Sequence, residues 1–309
     1  MEKVMQKLED EVIVLMSTYN GEKYLKTQID SILSQEGCQI RLVVRDDGSK
    51  DRTLDILEEY ASKGRLEYYQ GKNAGPARSF MELIKKAPDG QFYAFADQDD
   101  KWLPDKMICG ITNLKGKTKP AVYASNMSIV DDDLNLIEDV GLPNDVHTDF
   151  TSVMTSSGRL FGCTMMFNGA MVDFIKSHDD PQYIVMHDVW LCMIAALYDN
   201  LCYDSNPHMY YRRHRESVTY SKEIPLSKKI RGIFKGSKEK IPKQCKSFVE
   251  NIGSTEIEKQ GKWEICDLLM NYKNSIHKKV KLSRIIWYKT DMSARLRGAR
   301  IMQIILSTY

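Results

Sequence analysis

The first clear pattern in the chain is a short and nearly continuous apolar run from Glu11 to Ser17, EVIVLMS. A run of this kind is typical of a strand that is buried on both faces, as in a parallel sheet. Residues 23–35 then place apolar side chains at helical spacing, and Gly37 follows them. The pattern therefore predicts a strand, a polar turn and an amphipathic helix that ends before this glycine.

The same unit repeats along the next sixty residues. The predicted elements are a strand from Ile40 to Arg45, a helix from Arg52 to Lys63, a strand from Leu66 to Gln70, a helix from Arg78 to Ala87 and a strand from Gln91 to Ala96. Strands that alternate with helices of about ten to fifteen residues indicate βαβ units with right-handed crossovers. The fold class that we predict is α/β, with a doubly wound, mostly parallel sheet and helices on both faces.

The pattern loosens after Trp102. It predicts a helix over Pro104–Leu114, a strand over Ala121–Ser125, a polar and irregular loop over 141–157, an apolar strand over Arg159–Phe167, a helix over 187–199, and short strands over Leu201–Tyr203 and Met209–Arg212. We expect one main domain over residues 1–221, with two halves that divide at about residue 115.

Composition limits the class of protein. The chain has 309 residues, of which 42% are hydrophobic and 28% charged, as in soluble globular proteins. No apolar run approaches the ~20 residues that span a bilayer, and Met1 to Asp10 is charged rather than signal-like. The seven cysteines form no C-x-x-C pair, which favours reduced thiols. The sequence thus predicts a cytoplasmic protein.

Charge is unevenly distributed. Residues 222–309 hold 20 Lys or Arg against 8 Asp or Glu, a net charge of +12, although the whole chain carries only +2. Trp263, Trp287 and several isoleucines recur there at helical spacing. We predict a basic, mainly helical C-terminal region that contacts the inner face of the plasma membrane peripherally. The alternative is that these helices pack on the catalytic domain.

Three polar turns follow strands of the predicted sheet: Thr18–Glu22, Asp46–Ser49 and Asp97–Asp100. Because ligands of open α/β sheets bind beyond the carboxyl ends of strands, we expect the turns to converge on one crevice. The Asp-x-Asp spacing suits Mg²⁺ or Mn²⁺ bound to a diphosphate, although a solvated acidic turn is the alternative. No G-x-G-x-x-G follows the first strand, and the chain contains no P-loop.

The polar motifs have a common order and spacing. They are Ser17-Thr18-Tyr19-Asn20-Gly21-Glu22, Asp46-Asp47-Gly48-Ser49, Asn73-x-Gly75, Asp97-Gln98-Asp99-Asp100-x-Trp102, His187-Asp188-x-Trp190 and Tyr211-Arg212-x-His214. As a set they resemble family 2 glycosyltransferases of the GT-A fold, and within that family the rhamnosyltransferase-like branch. The resemblance covers residues from about 11 to about 220. It implies that residues 1–221 form a catalytic domain, with a nucleotide-sugar half up to about residue 115 and an acceptor half from about 116, which would include the loop over 141–157.

The resemblance implies a set of residues that bind the nucleotide sugar: Thr18, Tyr19, Asn20, Glu22, Asp46, Asp47, Arg78, Asp97 and Gln98. Asp46 or Asp47 would accept the imide N–H of uracil or thymine. A helix cap is the alternative for Asp47 in particular. Arg78, at the start of a helix, would neutralise the diphosphate, unless it is a surface arginine without function.

The resemblance also implies a metal site and a general base. Asp99 would ligate Mn²⁺ or Mg²⁺, with Asp97 and His214 as further ligands, and Asp100 could share the ion. The alternatives are that Asp97 binds ribose hydroxyls or a water molecule, and that His214 contacts a phosphate or is a structural histidine at the end of a strand. Asp188 would be the general base of an inverting displacement, with a helix cap as its alternative. His187 would tune the polarity of Asp188, and Trp190 would form an apolar wall for the acceptor sugar.

The implied function is metal-dependent, inverting transfer of a sugar, L-rhamnose or another hexose, from a UDP- or dTDP-linked donor. The acceptor would be a glycan or lipid-linked glycan in bacterial-type surface polysaccharide synthesis. The alternative is a catalytically idle module of the same fold that binds nucleotide sugars or glycans. The basic region carries no nucleic-acid-binding motif, so no nucleic-acid partner is predicted.

Overall fold

The computed structural model describes residues 10–143, 146–156, 160–214, 240–290 and 294–306. The strands are β1 Glu11–Thr18, β2 Gln39–Asp46, β3 Glu67–Gln70, β4 Phe92–Ala96, β5 Lys101–Trp102, β6 Val122–Val130, β7 Leu136–Glu138, β8 Met165–Asn168 and β9 Leu201–Arg212. The helices up to β9 are α1 Leu25–Leu33, α2 Thr53–Ala61, α3 Pro76–Lys86, α4 Lys106–Leu114, α5 Phe150–Ser156, α6 Gly169–Lys176 and α7 His187–Leu197. The helices after β9 are α8 Lys240–Ile252, α9 Ser254–Lys259, α10 Trp263–Asn271, α11 Ile276–Lys289 and α12 Ala294–Ile305.

All nine strands belong to one sheet of order β3-β2-β1-β4-β8-β6-β9-β5, with β7 paired to β6. The strands β3, β2, β1 and β4 are parallel. Beyond β4 the sheet is mixed, because β8 runs antiparallel to both β4 and β6, whereas β9 runs parallel to β6. The predicted α/β architecture is confirmed, with its parallel part confined to the first half and to the β6–β9 pair.

The apolar run that opens the chain is the centre of the core. Val12 to Met16 in β1 are completely buried, as a strand between two parallel neighbours should be. The helix α1 buries Leu25, Ile29 and Ile32 at helical spacing. Pro76 occupies the first turn of α3, directly after Gly75 with φ 76°, a conformation that glycine adopts without strain.

Several predictions for the second half of the chain were wrong. The apolar run up to Phe167 is not one strand, because Gly162–Thr164 forms a 3₁₀ turn that is closed by hydrogen bonds from Thr164 to Phe161 O. The segment 141–157 contains the helix α5, with Phe150 buried, and α6 was not predicted at all. The two short strands after residue 200 are one continuous strand, β9.

The helix α8 packs on the α/β part of the chain, against α5 and α7. The Phe248 ring lies 5.5 Å from that of Trp190 in α7 and 6.0 Å from that of Phe150 in α5. Gln244 Oε1 accepts a hydrogen bond of 2.7 Å from Val185 N. The alternative in which the C-terminal helices pack on the domain is thus confirmed for α8, while the predicted division at residue 221 lies outside the described residues.

Among the described residues, no helix combines the length and the apolar character that crossing a membrane requires.

Candidate active site

The register of the parallel strands brings the polar turns together. Thr18 at the end of β1 pairs with Asp46 at the end of β2, and Met16 in β1 pairs with Ala96 at the end of β4. The residues that follow β1, β2 and β4 therefore leave the sheet at the same edge. The crevice that the sequence predicts lies at this edge.

The crevice is a cavity of about 520 Å³ that is bounded by the three turns, by the start of α7 and by the end of β9. Nine predicted site residues line it: Thr18, Tyr19, Asn20, Asp47, Asp97, Gln98, Asp99, Asp188 and His214. The three other predicted site residues, Glu22, Asp46 and Arg78, are not among the residues that line it.

The first turn is held against the third by Gln98. Its side chain accepts a hydrogen bond of 2.8 Å from Tyr19 N and donates one of 3.0 Å to Tyr19 O. Asn20 adopts φ 49° and its Oδ1 accepts from Lys50 N, which ties the first turn to the second. A Cβ added at Gly21 would lie 2.3 Å from Gln98 Oε1, so a larger residue there would displace the Gln98 side chain from Tyr19. Gln98 thus positions the first turn.

Both aspartates of the second turn already have protein partners. Asp46 is buried and accepts hydrogen bonds of 2.9 Å from Gly48 N and Ser49 N. Asp47 pairs with the buried Arg45 and also accepts from two backbone N–H groups of the turn before α3. Burial opposes ionisation of Asp47, but these hydrogen bonds lower its pKa below the ordinary value. Only Asp47 faces the cavity.

Glu22 and Arg78 lie on the outer side of their turns. Both are exposed. Glu22 Oε2 accepts a hydrogen bond of 2.8 Å from Arg52 N at the start of α2.

Three carboxyl groups crowd the floor of the cavity: those of Asp97, Asp99 and Asp188. Burial, followed by the negative charges of Asp99 and Asp188, raises the pKa of Asp97 to about 7. Burial also raises the pKa of Asp188 to about 6, against hydrogen bonds from backbone N–H groups that lower it. Such a cluster of like charges favours a bound cation or proton.

His214 lies beside Asp99 at the end of β9. Its Nε2 is 2.8 Å from Asp99 Oδ2, and its ring lies 4.8 Å from the ring of Tyr24. Arg212 donates from Nε to Asp99 O at 2.8 Å and from its backbone N to Asp100 Oδ1 at 3.1 Å. The end of β9 therefore fixes the orientation of the acidic turn.

The start of α7 presents Asp188 to the cavity. Asp188 Oδ1 accepts from Val189 N at 2.6 Å and Oδ2 accepts from Gly162 N at 3.2 Å. His187 beside it is stacked on Phe80 at 4.1 Å, and burial lowers its pKa to about 3, so its imidazole is neutral. Neither ring nitrogen of His187 has a hydrogen-bond partner within the described part of the chain.

Asp100 lies beneath the turn rather than in the cavity wall. It is completely buried, and burial together with the charges of Asp99 and Asp97 raises its pKa well above the ordinary value. The carboxyl oxygens of Asp97 and Asp100 and the thiol of Cys163 lie within 4.8 Å of one another. Lys106 is buried in the same layer, and loss of hydration lowers its pKa to about 8.

Some residues of the cavity were not predicted. Lys23, Phe161, Met186 and Tyr211 line it, and all of these except Phe161 lie within or beside a motif that the sequence indicated. The placement of Trp190 was wrong, because this side chain is 1% exposed and packs against Phe248 instead of facing an acceptor. In the H-D-x-W motif, Trp190 follows His187 by three residues, so it lies one helical turn beyond His187 in a buried helix.

The fold and the acidic cavity define a glycosyltransferase of the GT-A class. The structure of Staphylococcus aureus TarS in complex with UDP-GlcNAc is similar, with a TM-score of 0.57, 17% identity, and coverage of 97% of this chain and 93% of that one. The structure of S. aureus TarS solved without this ligand gives a TM-score of 0.54 at 16% identity, covering 97% of this chain and 92% of that one. The likeness confirms the predicted GT-A fold.

The chain belongs to glycosyl transferase family 2, whose model matches residues 13–167. It is 30% identical to the dTDP-rhamnosyl transferase RfbG of Shigella flexneri over an alignment of 221 positions that covers 65% of this chain and 72% of that protein. It is 23% identical to an uncharacterized glycosyltransferase of Rickettsia typhi, over 75% of this chain and 73% of the relative. The family resemblance and the prediction of an enzyme, a glycosyltransferase, are confirmed.

Proposed function

We propose that the protein transfers a hexose or deoxyhexose, with L-rhamnose as the first candidate, from a UDP- or dTDP-linked donor to a hydroxyl group of a bacterial surface glycan or its lipid-linked precursor. The observation that carries this proposal is the convergence of Asp97, Asp99, Asp188 and His214 on one cavity. Similarity to RfbG supports the rhamnosyl donor, and similarity to TarS, a poly(ribitol-phosphate) β-N-acetylglucosaminyltransferase, supports a polymeric acceptor.

The donor set of the acidic turn fits a divalent cation. Asp97 and Asp99 supply carboxylate oxygens and His214 supplies a ring nitrogen directly beside Asp99, which suits Mn²⁺ and Mg²⁺. Burial and the negative charges of Asp99 and Asp188 raise the pKa of Asp97, and a cation bound beside it would offset both effects. When bound, the ion would neutralise charge on the departing diphosphate.

Other residues of the chain bind the nucleoside and accept the proton of the acceptor. Thr18, Tyr19 and Asn20 form the wall on which the nucleoside lies, and Gln98 fixes the backbone of that wall. Asp188, in its ionised form, accepts the proton of the acceptor hydroxyl as that oxygen attacks the anomeric carbon from the face opposite the leaving group. The bond to the diphosphate then breaks and the configuration inverts.

A panel of donors tests the proposed function. We expect release of nucleoside diphosphate in the presence of Mn²⁺ or Mg²⁺ with dTDP-L-rhamnose or a UDP-hexose, and faster release with a cognate glycan. Mass spectrometry of the glycan should show the added sugar. Tight donor binding without release or transfer in any combination of metal and acceptor would contradict the proposed transfer reaction.

We further propose that the outer face of α11 meets an anionic membrane. Ile276, Val280 and Tyr288 are 69%, 52% and 77% exposed along one side of this helix, and Lys281 and Arg284 border them. Apolar side chains flanked by basic ones are typical of helices that lie in a membrane interface, where each basic residue contributes ~1 kcal/mol. The +12 charge of residues 222–309 complements an anionic surface.

Charged substitutions in this face should abolish membrane binding. We expect the full chain to co-sediment at low salt with vesicles that contain phosphatidylglycerol, and the double variant Val280→Asp, Tyr288→Asp to stay in the supernatant. The attraction should fade at 1 M salt, where the screening length is ~3 Å. The matched control is Leu136→Asp, Ile137→Asp in the exposed strand β7. Equal sedimentation of all three proteins would exclude α11 as the contact.

A further inference from the structure

A second group of metal-ligating side chains lies where α4 meets β9. It consists of Asp105, Cys109 and His208, whose ligand atoms all lie within 4.8 Å of one another. Asp105 directly precedes α4 and Cys109 lies one turn into it, so the helix presents both on the same side. None of the three residues lines the proposed donor cavity.

His208 is held between two carboxylates. Its Nδ1 lies 3.0 Å from Asp105 Oδ2, and its Nε2 lies 3.2 Å from Asp204 Oδ2. A neutral imidazole carries one N–H, so it can donate to only one of these carboxylates. The other short contact requires a second proton on the ring or a cation between the nitrogen and the oxygen. The arrangement therefore calls for positive charge at this position.

Asp204 is the partner that would set the tautomer. It accepts hydrogen bonds from Tyr123 Oη at 2.9 Å and from Asn206 N at 2.9 Å, which fix its carboxylate in front of His208 Nε2. In metal sites of proteins, the ring nitrogen that does not ligate the ion usually donates to a carboxylate of this kind. With Nε2–H directed to Asp204, the lone pair of Nδ1 points towards Asp105.

We propose that Asp105, Cys109 and His208 Nδ1 bind a zinc ion, with Asp204 orienting the histidine. Imidazole, thiolate and carboxylate are the usual zinc ligands, at ~2.0–2.3 Å, and solvent would supply the fourth position of a tetrahedron. A thiolate disfavours Mg²⁺, so the site differs in chemistry from the acidic turn of the catalytic cavity. On binding, the Cys109 thiol loses its proton to solvent and its sulfur takes up the ion.

Access and position both suit a structural ion. Cys109 is half-buried and Asp105 is exposed, so an ion can enter from solvent. The bound ion would join the start of α4 to the second half of β9. This strand ends at Arg212, and His214 follows it and lies beside Asp99. It would therefore stabilise the connection between the acidic turn and the last strand without contact with the sugar donor.

Metal analysis of the full chain tests the proposal. After treatment with chelator, the protein is dialysed against zinc with Mg²⁺ in large excess. We expect one zinc per chain to remain bound in the wild type and in Asp99→Ala, and none in Cys109→Ser. Zinc that is lost in Asp99→Ala but kept in Cys109→Ser would belong to the catalytic turn and would overturn the proposal, as would no retained zinc at all.

Binding of Co²⁺ gives a second, spectroscopic readout, which begins with the wild type. Co²⁺ in the wild type should show intense tetrahedral d–d bands and a thiolate-to-cobalt charge-transfer band. Cys163→Ser is the matched control, because this other cysteine also lies within 4.8 Å of carboxylates, and it should keep the band while Cys109→Ser loses it. Absence of the band in the wild type, or its loss only in Cys163→Ser, would overturn the zinc site.

Discussion

Replacing Asp99 with alanine is expected to abolish sugar transfer and metal-dependent donor binding. Asp99 faces the cavity, its Oδ2 contacts His214 Nε2 at 2.8 Å, and Arg212 holds its backbone carbonyl. Without this carboxylate, only Asp97 would remain as an anionic ligand lining the cavity on that turn. Transfer should fall below ~1% of the wild-type rate, because stabilisation of the leaving group is usually the largest catalytic term.

The fold of this variant should persist, since Asp99 lies on a turn and its carboxylate is crowded by like charges. Calorimetric titration with Mn²⁺ and nucleoside diphosphate should show no metal-dependent binding, and the thermal transition should stay within a few degrees of the wild type. Asp55→Ala, on the exposed side of α2, is the matched control. Full activity of Asp99→Ala in Mn²⁺ would remove the metal from the proposed mechanism.

The first half of the fold could be predicted because its signals are local. The run Val12 to Met16 is apolar on both faces because parallel neighbours cover both, and each strand there is followed by a helix of regular period. The edge at which the turns converge then follows from topology alone. This is why seven of the nine predicted site residues that line the cavity belong to the turns of this half.

The second half escaped prediction because its elements depend on distant partners. Gly162 reads as part of an apolar strand, yet it turns because its N–H donates to Asp188 and because a Cβ there would lie 2.6 Å from His187 Nε2. The helix α5 is short, and the ring of its Phe150 packs against Phe248 nearly a hundred residues later. Neither partner is visible in the local pattern.

The roles of individual polar residues also depend on hydrogen bonds to neighbouring groups, which the sequence motifs do not show. Asp46 and Asp47 occur side by side in the sequence, but only Asp47 reaches the cavity, because Asp46 is turned inward by Gly48 N and Ser49 N. Gln98 also has a protein partner, because its side chain forms hydrogen bonds with the backbone N and O of Tyr19. A motif indicates which residues gather at a site, whereas hydrogen bonds decide which of them face the ligand.

Replacing Asp188 with asparagine is expected to lower the turnover rate by ~10²–10⁴ while donor affinity is retained. Asparagine keeps the size of the side chain and can still accept from Val189 N, but it cannot accept a proton. Donor binding should survive because the nucleoside wall and the acidic turn are unchanged. Loss of turnover and donor affinity in equal measure would indicate instead that Asp188 only caps the start of α7.

The pH dependence gives this assignment a second test. Because burial raises the pKa of Asp188 to about 6, the base is protonated and inactive below that pH, so kcat/KM of the wild type should fall roughly tenfold per unit under pH 6. The residual activity of Asp188→Asn should lack this limb. A group whose pKa is raised on folding stabilises the fold at low pH and loses that contribution as the pH rises through about 6. The melting temperature of Asp188→Asn relative to the wild type should therefore increase as the pH rises from about 4 to about 6 and stay level above that, which tests the raised pKa on which the kinetic limb depends.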